Sequence, residues 1–221
     1  MCSKPMELKF VLTRCGDDLY SIAVDSPADA QALAAQLRSS GNWLEVVPGI
    51  DSVMVQFHAA FVDATAAEAA ISASLEDGIA PLRDTGELIE IPVVYGGAYG
   101  PDLGELSEAT GLSTDEIITL HTSREYPVEM VGFTPGFAFI GELDERLRVP
   151  RRKEPRQRVP AGSVGLADSR TGIYAMASPG GWTLIGRTPL TLFDPDSATP
   201  FLLQPGMRVR FTALSADEIE T

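Results

Sequence analysis

One imidazole, a run of guanidiniums and a serine in a glycine-rich turn are the groups in this sequence with chemistry to offer. His121 ends a segment with helical spacing, where the helix dipole favours the protonated ring and a general acid or base becomes available near neutral pH. Arg151, Arg152, Arg156 and Arg158 follow one another closely, a pattern suited to gripping phosphate or carboxylate through paired N–H groups. Ser163, in Ala161-Gly162-Ser163-Val164-Gly165, can present a hydroxyl and adjoining backbone N–H groups to an anion. Phe133, Pro135 and Gly136 belong to the loop Gly132-Phe133-Thr134-Pro135-Gly136-Phe137, and Trp182 follows Gly180-Gly181, a placement that can wall a pocket.

Each group also has a structural reading. His121 can bond to backbone at a helix end, the arginines can form salt bridges between domains or subunits, Ser163 can be a turn residue, and Trp182 can sit in a core. No Gly-x-Ser-x-Gly elbow or paired base accompanies Ser163, and no Gly-Lys-Ser/Thr follows the glycines of Gly96-Gly97-Ala98-Tyr99-Gly100. No residue here makes a self-sufficient active site, which is consistent with a shared one.

The elements that must position these groups fall into two domains, 1–85 and 86–221. In the first, strands near 6–13, 19–24, 43–47 and 52–57 alternate with two helices. Ser26 caps one, with Pro27 in its first turn and Gly41 beyond its end; Asp63 caps the other, over 64–75. This predicts an α+β domain with helices on one face of an antiparallel sheet. Residues 79–86, with Pro81 and Gly86, read as the linker. Beyond it, Asp102 caps a helix to about Thr110, and Ser113 with Glu116 forms a capping box for a helix over 114–121. Strands are predicted near 88–94, 126–131, 163–167, 171–176, 182–187, 190–193 and 208–213. From Val131 to Pro189, Gly and Pro recur every few residues among β-branched and aromatic residues, which predicts a compact, mostly β barrel with shaped loops.

Composition narrows the class. A chain of 221 residues with 44% hydrophobic and 22% charged residues is ordinary for a globular protein. No run of 18 apolar residues marks a membrane span, and the start, Met1-Cys2-Ser3-Lys4-Pro5, does not read as a signal peptide. Cys2 and Cys15 make a disulfide framework a poor expectation and the cytoplasm the expected compartment; with two histidines, no metal site is expected. The net charge of −14 disfavours nucleic acid and anionic membranes as partners. Yet seven of the 17 basic residues fall within 146–158, a positive island that suits a phosphate, a carboxylate or an acidic partner.

From Tyr95 to Phe211 the chain resembles the allophanate hydrolase subunit 1 family. That family includes a subunit of bacterial ATP-dependent 5-oxoprolinases and an inhibitor of a sporulation histidine kinase. Gly100-Pro101-Asp102-Leu103, Leu120-His121 and Gly132-Phe133-Thr134-Pro135-Gly136-Phe137 carry the likeness. So do Pro150-Arg151-Arg152, Val159-Pro160-Ala161-Gly162-Ser163-Val164-Gly165, Ser178-Pro179-Gly180-Gly181-Trp182 and Ile185-Gly186-Arg187-Thr188-Pro189, in order. Glu142, Asp168, Arg170 and Met207, and the pair Ala138-Phe139, depart from the family pattern, and Arg170 bears on what a nearby pocket binds. The resemblance implies a cyclophilin-like β-barrel as the second domain. It also implies a heteromeric enzyme in which ATP drives the opening of 5-oxoproline to glutamate. A sister subunit of the allophanate hydrolase subunit 2 type, and a third subunit of lactam-hydrolase type, would complete it. ATP would be bound by the complex rather than necessarily by this chain. A urea or allophanate pathway subunit, and a regulatory protein inhibiting a histidine kinase, are the alternatives within the same likeness.

Overall fold

A computed structural model describes residues 10–40, 43–76, 78–80, 86–215 and 217. Cys2 and the start of the chain, the beginning of the first expected strand, Gly41, the centre of the linker at 81–85 and the acidic tail at 218–221 lie outside the described residues. The chain divides into two compact units, Met1–Arg83 and Asp84–Thr221. No helix among the described residues is long and apolar enough to cross a membrane.

In the first unit, β1 (Leu12–Arg14), β2 (Leu19–Ala23), β3 (Glu45–Pro48) and β4 (Ser52–Gln56) form an antiparallel sheet of order β1-β2-β4-β3. Helix α1 (Pro27–Ser39) begins where Ser26 accepts from the Asp29 N–H at 3.1 Å, and α2 (Ala64–Leu75) where Asp63 accepts from the Ala66 N–H at 2.8 Å. The helical spacing of Ala30, Leu33, Ala34 and Leu37 buries one stripe of α1 with Ile22, Val53 and Val55 of the sheet and Phe57 just beyond it. Burying each large aliphatic of that stripe contributes about 1.5–3 kcal/mol, more than the capping bonds at the helix start.

The second unit is a closed barrel. Its strands are β5 (Leu88–Tyr95), β6 (Glu125–Val131), β7 (Ala138–Ile140), β9 (Ser163–Ala167), β10 (Arg170–Ile173), β12 (Thr183–Arg187) and β13 (Arg208–Ala213), in the order β10-β7-β6-β13-β5-β12-β9, with β9 pairing back to β10. Among the described strand pairs only β5–β13 is parallel, Leu88 facing Arg208. Closure removes every free edge from this sheet. Two further strands, β8 (Arg156–Val159) and β11 (Ser178–Gly180), pair outside the barrel. Helices α3 (Leu103–Thr110) and α4 (Thr114–Thr122) lie between β5 and β6, and α4 carries the expected capping box of Ser113 and Glu116. The barrel core includes Ile91, Val93, Tyr126, Leu166, Ile173, Ile185 and Phe211.

Three local expectations are corrected. Residues 190–193 form no ladder: flanked by Pro189 and Pro195, they make one isolated bridge, Phe193 to Phe201. Both β7 and β8 are strands the sequence pattern hides. All three residues of β7 are buried, so its apolar run shows no alternation, and β8 is a short charged piece. Helix α3 follows Asp102, but the Asp102 side chain makes no capping bond and is used elsewhere.

Candidate functional site

Three loops of the second unit, around residues 133–137, 151–155 and 179–182, enclose a cavity of about 290 Å³. Its walls are Phe133, Phe137, Phe139 and Trp182, with Tyr174 completing the aromatic belt. The rings are locked edge to face. Phe137 lies 4.8 Å from Phe139, 5.0 Å from Tyr174 and 5.4 Å from Trp182, centroid to centroid. Glycine permits this packing at two close approaches. A Cβ on Gly172 would press into the Trp182 ring, and one on Gly180 would overlap the Tyr174 hydroxyl. Phe133 stands at the rim, 68% exposed, with its backbone at φ 71, a left-handed conformation that non-glycine residues seldom adopt.

Two cations line the cavity, and they differ. Arg152 is engaged: it donates to Glu105 at 2.8 Å and reaches Asp102 at 3.4 Å, while its backbone N–H is held by the Gly181 carbonyl. Arg151 is exposed, its guanidinium carbon 6.0 Å from the Trp182 ring centroid, in cation–π range. Its one ion pair among the described residues is a long 3.9 Å approach to an equally exposed Asp168. Tyr174 adds a hydroxyl to the lining. Burial pushes its phenol above the ordinary range, opposed by the Trp182 backbone N–H and by the charges of Arg151 and Arg156. It is therefore a protonated donor at neutral pH.

Behind the cavity, Asp102 organises the basic run. Its carboxylate is buried, accepts from the Leu184 N–H of β12 at 2.7 Å, and holds Arg156 at 2.5 Å as well as Arg152. The Nη1 atom of Arg156 is buried with no partner among the described residues.

The structure thus gathers Arg151, Arg152, Phe133 and Trp182 of the expected residues at one cavity, with Arg156 just behind it. Arg158 is exposed and makes no ion pair among the described residues. Pro135 and Gly136 shape the loop without lining the cavity, Phe137 N–H bonding back to Thr134 and Gly132 N–H to Phe137. Ser163 is buried at the start of β9, its carbonyl accepting from Tyr174 N–H, and it does not line the cavity. Arg170 does not line it either and pairs with Glu129 at 2.6 Å.

His121 stands apart. It is fully buried in the second unit, with Phe211 at 4.2 Å and Tyr126 at 5.8 Å between ring centroids. Thr171 Oγ1 donates to the Gly165 carbonyl at 3.3 Å and so accepts from His121 Nε2–H at 3.0 Å; Tyr95 O–H then donates to Nδ1 at 2.7 Å. Burial pushes its pKa down to about 3. The imidazole is neutral, saturated and out of reach of solvent, the reverse of the protonated helix-end group that its position in sequence suggests.

Sequence reasoning missed Tyr174, Phe139 and the true use of Asp102. Only the aromatic density around Gly-Gly-Trp signalled a belt. A larger, more polar hollow of about 530 Å³, bordered by Glu87 and Asp194, has no cation in its lining.

Comparison with known proteins fits this architecture. The family described as carboxyltransferase domain, subdomain C and D, matches residues 3–203, and the chain belongs to it. It is 46% identical to a 5-oxoprolinase subunit of Escherichia coli over 179 residues, 81% of this chain and 82% of that protein. It is 44% identical to the corresponding 5-oxoprolinase subunit of Haemophilus influenzae over 81% of this chain and 84% of that one. Among solved structures, TTHA0988 superposes with a TM-score of 0.76 at 33% identity, covering 90% of this chain and 40% of its own. Urea carboxylase of Kluyveromyces lactis superposes with a TM-score of 0.78 at 17% identity, covering 96% of this chain and 22% of its own, a likeness of fold.

Proposed function

We propose that this chain is a subunit of a heteromeric, ATP-dependent 5-oxoprolinase that opens the lactam of 5-oxoproline to glutamate. The observation that carries the reading is the 46% identity to the Escherichia coli 5-oxoprolinase subunit across 81% of this chain and 82% of that protein. The cavity supports a shared site. Its lining offers aromatic surface, two guanidiniums and one phenol, but no carboxylate, imidazole, thiol or aliphatic hydroxyl to act as nucleophile or base at pH 7. We therefore read the chain as holding substrate for chemistry completed by others: a sister subunit of the allophanate hydrolase subunit 2 type and a third subunit of lactam-hydrolase type. His121 belongs in this reading to the barrel core and not to the acid–base machinery.

ATP is a poor fit to this chain's own residues. Four of the seven cations in the basic run are already paired, Arg146 with Asp144, Arg148 with Glu145, Arg152 with Glu105 and Arg156 with Asp102, and of the others only Arg151 lines the cavity. Among the described residues, no group of three or more His, Cys, Asp or Glu is placed to hold a metal ion. We accordingly put ATP on a partner subunit. Two separate domains, 1–85 and 86–221, the second cyclophilin-like, and a cytoplasmic complex complete the proposal. The likeness to urea carboxylase, at 17% identity, concerns the fold and gives no ground for urea as the substrate.

The test is reconstitution. Purified chain, sister subunit and third subunit are mixed with ATP and 5-oxoproline, and glutamate is measured. Release only from the full mixture is expected. Release by this chain alone, or none from the complete mixture, overturns the proposal.

A further inference from the structure

Resting on that subunit reading, we infer that the aromatic cavity of this chain is itself the receptor for a small cyclic amide carboxylate of the 5-oxoproline class. Arg151 takes the carboxylate and the Tyr174 hydroxyl donates to the ring carbonyl.

The size of the hollow comes first. At about 290 Å³ it lies at the lower edge of small-molecule sites, roughly 300–1,000 Å³, too small for a nucleotide and suited to a single ring. Charge comes second. Glu105 and Asp102 already neutralise Arg152, while Arg151 has only its long, exposed approach to Asp168 among the described residues. One available guanidinium matches one negative charge, whereas a phosphate dianion would bring uncompensated charge against an apolar belt. The indole under Arg151 restricts that guanidinium and lowers the cost of ordering it on a carboxylate.

Third is the donor at Tyr174. Tyr174 belongs to the cavity lining, and burial keeps its hydroxyl protonated at neutral pH. The Gly180 backbone lies against this hydroxyl, and only glycine leaves room for it there. A protonated hydroxyl at the cavity can donate to an acceptor on the ligand. A lactam carbonyl supplies one on the same small ring that carries the carboxylate. Proline supplies no such acceptor, and its ring ammonium would meet Arg151 and Arg152. The remaining ring carbons pack on Phe133 and Phe137.

The experiment titrates the full chain with four probes, followed by calorimetry and ligand-observed NMR: 5-oxoproline, 2-pyrrolidone, proline and N-acetylprolinamide. 5-Oxoproline should bind most tightly, in the micromolar-to-millimolar range open to so small a ligand. Arg151→Ala should weaken 5-oxoproline roughly ten- to a hundredfold and leave 2-pyrrolidone unchanged, with Arg151→Lys recovering part of the loss. Tyr174→Phe, which keeps the ring, should weaken both lactams by roughly two- to tenfold. Equal binding of 5-oxoproline and 2-pyrrolidone, or indifference of 5-oxoproline to Arg151→Ala, overturns the inference. So does tighter binding of N-acetylprolinamide, which would mark a peptide site. The two proposals fail separately. A reconstituted complex that turns over with an unchanged KM in the Arg151→Ala variant keeps the subunit and sinks the site. A chain that binds 5-oxoproline through Arg151 but supports no turnover in any complex keeps the site and sinks the subunit.

Discussion

Asp102 and Arg156 meet at 2.5 Å where β8 passes behind the cavity, and the same aspartate accepts the Leu184 N–H from β12. The carboxylate is almost fully buried, and these two donors, with Arg152 at 3.4 Å, offset its desolvation. Through this one side chain the start of α3, the β8 segment and a barrel strand are tied together.

Removing it should therefore be costly. Asp102→Ala leaves Arg156 and the Leu184 N–H without their acceptor, and a loss of about 3–5 kcal/mol in unfolding free energy is expected. Asp102→Asn keeps an oxygen for Leu184 and loses the charge, so it should cost clearly less. Urea denaturation of the three proteins measures both; equal stability of wild type and Asp102→Ala would show that the contact does not hold the loop.

His121 predicts how the protein responds to acid. Its folded pKa is lowered to about 3 from an ordinary value of 6.5, because burial disfavours the charged ring. The folded state thus binds fewer protons than the unfolded one between these values. The stability tied to His121 is complete above pH 6.5 and is lost as pH falls towards 3, at about 1.4 kcal/mol per pH unit. The groups around it, Tyr95, Thr171, Tyr126 and Phe211, carry no charge in this range and do not offset the loss. His121→Phe should be less stable at neutral pH, since Tyr95 and Thr171 lose a partner, yet its stability should fall less steeply on acidification. Parallel slopes for the two proteins between pH 6 and pH 4 would refute the assignment.

The elements with local punctuation were the legible part of the fold. Ser26-Pro27, Asp63 and the Ser113–Glu116 pair each marked a helix start that the backbone honours. The strand β7 was not legible, because burial on all sides erases the alternation by which a strand is recognised. The site was half legible. The arginine run and Trp182 are visible as residue types, but which guanidinium stays available is decided by Asp102 and Glu105, about fifty residues away in sequence. His121 misled for a similar reason. The dipole argument assumes a helix end in water, and here the last turn of α4 packs its ring inside a core, where desolvation outweighs the dipole.

Phe133 gives the sharpest test of how the rim is built. Its φ of 71 costs a non-glycine residue about 1–2 kcal/mol relative to a right-handed conformation. Against this, its edge-to-face contact with Phe137 at 5.6 Å contributes about 0.5–1.5 kcal/mol, and a ring 68% exposed gains little from burial. Phe133→Ala keeps the strained backbone and loses the contact, so it should be destabilised by about 1 kcal/mol. Phe133→Gly loses the same contact but relieves the strain, at the cost of about 0.5–1 kcal/mol of extra chain entropy in the unfolded state. Its stability should stay within about 1 kcal/mol of wild type and exceed that of the alanine variant. Both variants remove one wall of the cavity and should weaken 5-oxoproline binding alike, whatever their order of stability. Thermal unfolding and ligand titration on the same two proteins decide it. If alanine proves more stable than glycine at this position, the left-handed backbone at Phe133 is not the conformation held in solution.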